Sequence, residues 1–119
     1  MNTQDFVLDT MVKKMVGMCC QELEMAAHDL PPIHLVPHTG YDSFGLFDGA
    51  VVVAVADRHP MDVMRTLAHE LVHLKQTHSG QCLDGTDGSD TEDAANAIAG
   101  TIMRKFGKRY PMFFAAPCQ

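Results

Sequence analysis

The stretch Thr66-Leu67-Ala68-His69-Glu70-Leu71-Val72-His73-Leu74-Lys75 carries the residue types and spacing in this chain best suited to chemistry. On an α-helix, residues four apart lie one above the other, so His69 and His73 aim two imidazoles at one point. Two nitrogen ligands at that separation suit a single Zn2+. A carboxylate between them stands close to the ion without coordinating it and can take a proton from a water held there. Glu70 occupies that place.

Hydrolytic zinc sites use three protein ligands plus water, so the two histidines leave one ligand to find. The glycine-rich stretch after His73 lets a second helix return alongside the first, and Glu92 in its first turn is the expected third ligand. Asp93 is its rival, pointing roughly a hundred degrees further round the helix. Cys82 in the joining stretch, or a further histidine, stays open as a substitute, thiolate being a good zinc ligand. Asn96 lies one turn beyond Glu92 on the same face and can hydrogen-bond a ligand or substrate from behind.

The elements that must hold these groups follow from the apolar pattern. Residues 3–28 place Phe6, Val7, Met11, Val12, Met15, Val16, Met18, Cys19, Leu23 and Met25 near the helical period, capped by Thr3 or Asp5 and stopped by Pro31-Pro32. This predicts one long packing helix, relaxed at Gly17, with a methionine stripe that fills core and His28 facing the dipole at its end. Ile33-His34-Leu35-Val36 alternates between prolines and reads as a strand with His34 outward and His38 in the turn beyond. Asp48-Gly49 between Tyr41–Phe47 and Ala50–Ala56 signals a hairpin, so a small, mostly antiparallel sheet is expected before the His69 helix. An edge of that sheet can pair with an extended peptide. Pro60 opens the His69 helix, which buries Val63, Met64, Leu67, Ala68, Leu71, Val72 and Leu74 and fades by His78. Residues 79–90 read as a solvated acidic loop, since their Asp spacing fails the EF-hand pattern. The second helix opens at Asp90 or Thr91 and is expected to stop at Gly107, where Arg104, Lys105, Lys108 and Arg109 complement its dipole. The apolar tail from Tyr110 to Pro117 can dock on the body or meet a protein partner.

The 119 residues suffice for one domain, 1–119, with a core of its own. A formal charge of −6 argues against a nucleic-acid surface and eases the holding of a dication. No window is apolar enough to cross a bilayer, and the start lacks the regions of a secretion signal. The four cysteines, two of them adjacent at Cys19-Cys20 and one nearly terminal at Cys118, do not form a disulfide framework. Reduced thiols in a cytoplasmic protein are the expectation.

His69-Glu70-Leu71-Val72-His73, followed by Glu92-x-x-Ala95-Asn96-x-x-Ala99, resembles the gluzincin arrangement of zinc metallopeptidases. It is similar to ImmA/IrrE-type peptidases and to small phage-encoded metallopeptidase-like proteins over residues 40–107; Ala94 stands where that motif has a second acid. The resemblance implies an α+β fold with zinc between two helices under a small sheet; with the N-terminal helix read from the apolar pattern, the expectation is a minimal zincin-like fold whose small, mostly antiparallel sheet packs on that helix, the His69 helix and a second ligand-bearing helix. It further implies Zn2+ as cofactor, His69, His73 and Glu92 as ligands, Glu70 as general base, a protein or peptide substrate, and a host cytoplasm if the chain is phage-encoded. Tyr110, His78 and His59 are the candidate donors to a developing oxyanion. Deformylase-like enzymes set a Cys beside two His, and the context of Cys82 fits them poorly. A reading from another class is a catalytically silent binding or inhibitory protein in which zinc ties two helices together.

Overall fold

The computed structural model describes residues 3–40, 44–47, 49–78 and 90–115. Helices α1 (Thr3–Leu23), α2 (Pro60–His78) and α3 (Asp90–Arg109) accompany strands β1 (Ile33–Val36), β2 (Gly45–Phe47) and β3 (Val51–Ala54). Short 3-10 turns at Ala27–Asp29 and Pro111–Ala115 follow α1 and α3. The α+β class expected from the sequence holds. The loop at 79–89 with Cys82, the tail from 116 with Cys118, and Asp48 of the hairpin signal lie outside the described residues.

Leu8, Met11, Met15, Met18, Cys19 and Leu23 form the buried face of α1, at the three- and four-residue spacing that one helix stripe requires. The methionines are core filler, as their flexible, polarizable side chains suit. The Cys19 thiol touches Met15 Sδ at 3.6 Å, and burial pushes its pKa up to about 12. The helix runs straight through Gly17 but ends well before residue 28. Glu24 adopts a left-handed φ of 55°, and the Met25 N–H bonds to the Cys20 carbonyl at 2.9 Å. That six-to-one closure ends the helix before the prolines can, and leaves His28 in the next turn, beside Asp29 rather than at the helix dipole.

The sheet is mixed rather than mostly antiparallel. Its order is β1-β3-β2, with β3 parallel to β1 and antiparallel to β2. The Asp48-Gly49 signal located the β2–β3 hairpin, and Gly49 takes a φ of 70° that an L side chain resists. The direction of β1 is set by long-range pairing that hairpin chemistry does not govern. His34 is exposed, as the alternation implied, and His38 is exposed beyond the end of β1.

Helix α2 is the hub: it packs against α1, α3, β2, β3 and the 3-10 turn after α3. The sheet therefore meets the helices through α2, and not chiefly through the N-terminal helix. Pro60 stands at the first position of α2, and the His59 ring caps it, Nδ1 accepting from the Met61 N–H at 3.0 Å. Helix α3 continues past Gly107 to Arg109. Gly107 serves packing instead of termination, because a Cβ there would come 2.9 Å from the Phe114 ring. The following turn docks through Phe113, whose ring stacks on Phe106 at 5.9 Å, with Tyr110 closing the cluster. Met112 and Phe114 stay exposed. Among the described residues no helix is long and apolar enough to cross a membrane.

Phe106 is fully buried where α3 and its closing turn meet. Phe106→Ala should lower unfolding free energy in urea by about 3–5 kcal/mol, while Met112→Ala stays within about 0.5 kcal/mol.

Candidate metal centre and adjoining cleft

His69 and His73 lie one turn apart on α2, and Glu92 reaches them from the first turn of α3. Glu92 Oε1 is 2.9 Å from His69 Nε2, Glu92 Oε2 is 3.0 Å from His73 Nε2, and the two ring nitrogens are 3.0 Å apart. Neighbouring ligands on a tetrahedral ion with bonds of about 2.0–2.1 Å sit about 3.3 Å from one another. The observed separations are within a few tenths of an ångström of that. One ligand atom from each of the three residues falls inside a common 4.8 Å radius of mutual distances, so the cluster can hold a metal ion.

The surroundings prepare the ring nitrogens. Gln76 Oε1 accepts from His73 Nδ1 at 2.8 Å, which places the proton on Nδ1 and turns the Nε2 lone pair towards the cluster. Gln76 is itself only 4% exposed, so the polar contact is shielded from water. Burial holds the His69 imidazole below its ordinary pKa, the charge of His73 adding to this and Glu92 and a hydrogen bond donated to Asn96 opposing it. A neutral imidazole is the form that coordinates.

Glu70 is 9% exposed and lies beside the cluster. Burial lifts its carboxyl above the usual glutamate range; His73 pulls the other way and Glu92 pushes it further up. With Thr66, His69, Arg65, Phe44 and Gly45 it lines a cleft of about 270 Å³ between α2 and the edge strand β2. The strand comes so close that a Cβ on Gly45 would lie 2.6 Å from Thr66 Cγ2 and 3.1 Å from Glu70 Cγ. Arg58 braces this approach. Its guanidinium donates to the Ala54 and Asp62 carbonyls at 2.7 and 2.9 Å and to Thr66 Oγ1 at 2.6 Å, and stacks 4.2 Å over the Phe44 ring.

The structure thus brings together His69, His73, Glu92 and Glu70, with Asn96 behind His69. Asp93 is exposed and outside the cluster, and Cys82 lies beyond the described residues. Among the oxyanion candidates, His59 spends Nδ1 on the α2 cap and donates from Nε2 to the Phe114 carbonyl at 3.1 Å. Tyr110 is packed against Phe106 and Phe113, and the His78 side chain is outside the description. Gln76, Arg58, Arg65 and Gly45 escaped the sequence reading. A polar Gln76 four residues beyond Val72, on the stripe set to be buried, was the available signal for the first of them. Compared with known proteins, the chain matches no family model, no curated protein and no solved structure.

Gln76→Leu keeps the volume and removes the acceptor; metal affinity, measured by chelator competition, should fall about 10–100-fold. In metal-free protein, NMR titration should put the His69 midpoint below 6.5, since burial and the neighbouring imidazole both disfavour its charged form.

Proposed function

We propose that this chain is a zinc-dependent metallopeptidase of zincin-like architecture. The observation that carries the reading is the convergence of two imidazole nitrogens and both Glu92 oxygens at about 3 Å, with a buried carboxylate beside them under the edge strand β2. Zinc held by His69, His73 and Glu92 would polarise a carbonyl and bring the pKa of a bound water to about 7.

The protein's own residues supply the rest. Glu70 is the base that accepts the proton from the attacking water and passes it to the leaving amine. Its raised pKa makes it a better proton acceptor than an exposed carboxylate, and still leaves it able to return the proton. Gln76 and Asn96 hold the two imidazoles in orientation. β2 is an edge strand, the kind of element an extended peptide adds to, and Gly45 keeps that stretch bare of a side chain next to Glu70.

One observation favours a second reading. Each oxygen of Glu92 engages one histidine, so the same cluster fastens α3 to α2 and would serve as a structural staple in a silent binding protein, with exposed Met112 and Phe114 as a contact for a partner.

Glu70→Gln distinguishes the two. Under the hydrolytic reading it retains zinc by elemental analysis and loses at least about a hundredfold in turnover of a quenched-fluorescence peptide library, the scale of a general base. Unchanged turnover, or a wild-type protein that holds zinc, cleaves nothing and melts far lower once the metal is chelated, would leave the staple as the function.

A further inference from the structure

Helices α2 and α3 run antiparallel, and the metal cluster occupies only one end of the furrow between them. On α2 the residues Met61, Arg65, His69 and His73 follow at four-residue intervals along one face; on α3 so do Glu92, Asn96, Gly100, Arg104 and Lys108. His73 and His69 meet Glu92 at one end, while Met61 and Arg65 meet Gly100, Arg104 and Lys108 at the other. The second end is a groove of about 480 Å³. Its walls are Met61, Met103 and the Phe114 ring, which is 61% exposed and rests on Gly107. Nothing but the Arg104 guanidinium comes within 4 Å of a Cβ built on Gly100, so the floor there is open.

The charge around this groove opposes that of the chain. Arg65, Arg104 and Lys108 line it, no acid among the described residues does, and the whole sequence carries a formal −6. Elsewhere two lysines are paired with acids: Lys105 bonds to Glu22 at 2.7 Å and Lys13 to Asp9 at 3.1 Å. Among the described residues Arg104 bonds only to the neutral Thr101 hydroxyl, and no carboxylate pairs with any of the three groove cations. As helix-dipole partners Arg104 and Lys108 would need no apolar trough between them and Arg65.

Arg65 also lines the cleft that holds His69 and Glu70, so the two spaces adjoin at one side chain. With a helix rise of about 1.5 Å per residue, Arg65 stands about 6 Å and Met61 about 12 Å along the axis from His69. An extended peptide advances about 3.3 Å per residue, so the groove accepts residues about two to four positions from the bond over Glu70.

We propose that this groove is a specificity site for an extended acidic peptide segment with an apolar anchor: an aliphatic or aromatic side chain between Met61, Met103 and Phe114, flanked by Asp or Glu facing Arg65, Arg104 and Lys108. The register relative to a cleaved bond rests on the hydrolytic reading above; the binding preference does not.

The test has two arms, both on the full chain loaded with zinc. Fluorescein-labelled twelve-residue peptides carrying Asp-Leu-Asp or Lys-Leu-Lys are bound to the protein and followed by anisotropy, with anionic phosphatidylserine vesicles as competitor. A degenerate peptide library is digested in parallel and its products are sequenced by mass spectrometry. The acidic peptide should bind at least tenfold tighter than the basic one. Arg104→Glu with Lys108→Glu, both exposed positions, should reverse that order, and the uncharged block Gly100→Leu should weaken the acidic peptide tenfold. Cleaved products should be enriched in acidic and large apolar residues two to four positions to one side of the cut. Selective binding with no cleavage would sink the hydrolytic reading and keep the groove. Equal affinity for the two peptides, a preference untouched by charge reversal, cleavage without acidic enrichment, or tighter binding of the vesicles would each overturn the proposal.

Discussion

Two imidazole nitrogens 3.0 Å apart, with both oxygens of a carboxylate at the same distance, form an arrangement that cannot be stable as lone pairs alone. Like partial charges at that range repel, and partial burial removes the water that would screen them. A cation at the centre, whether protons or a metal ion, turns the repulsion into attraction from all sides. Glu92 sits in the first turn of α3, where the unpaired N–H groups of the helix end favour an acidic side chain.

The rest of the molecule fixes the face of α2 that carries the imidazoles. Its opposite sectors are used up by Val63, Met64, Leu67, Leu71 and Val72, all essentially inaccessible, which lock the rotation of the helix between α1, α3 and the sheet. Arg58 then ties three pieces at once: the end of β3, the first turn of α2, and Phe44 at the entry to β2. A single guanidinium can do this because its donors fan out in one plane and its face stacks on an aromatic ring. The strand edge is thereby held over Glu70 at a distance only a glycine tolerates.

What could be seen in the sequence was what local periodicity encodes. The His69/His73 pair, the buried stripe of α2, the return of Glu92 and the hairpin at Gly49 each depend on residues near one another in the chain. What could not be seen depends on distant partners. The parallel pairing of β1 with β3 is decided by the sheet as a whole, and the end of α1 by a left-handed Glu24, a residue type that gives no warning of it. Gly107 looked like a stop and proved to be a seat for Phe114, because a missing Cβ reads the same in either role. The furrow beyond His69 required knowing that two four-residue rows on separate helices face each other in opposite directions.

The placement of α2 has a further consequence for how such a chain can change. The backbone that aims the imidazoles is also the backbone every other layer leans on. A substitution that re-seats Leu67 or Leu71 turns the helix by a few degrees and swings His69 and His73 with it, so hydrophobic repacking and coordination geometry draw on the same degree of freedom. Laboratory selection for greater robustness alone would therefore be expected to alter ligand affinity as a side effect. Independent tuning of the two properties is left mainly to positions off this axis, such as the outer faces of α1 and α3.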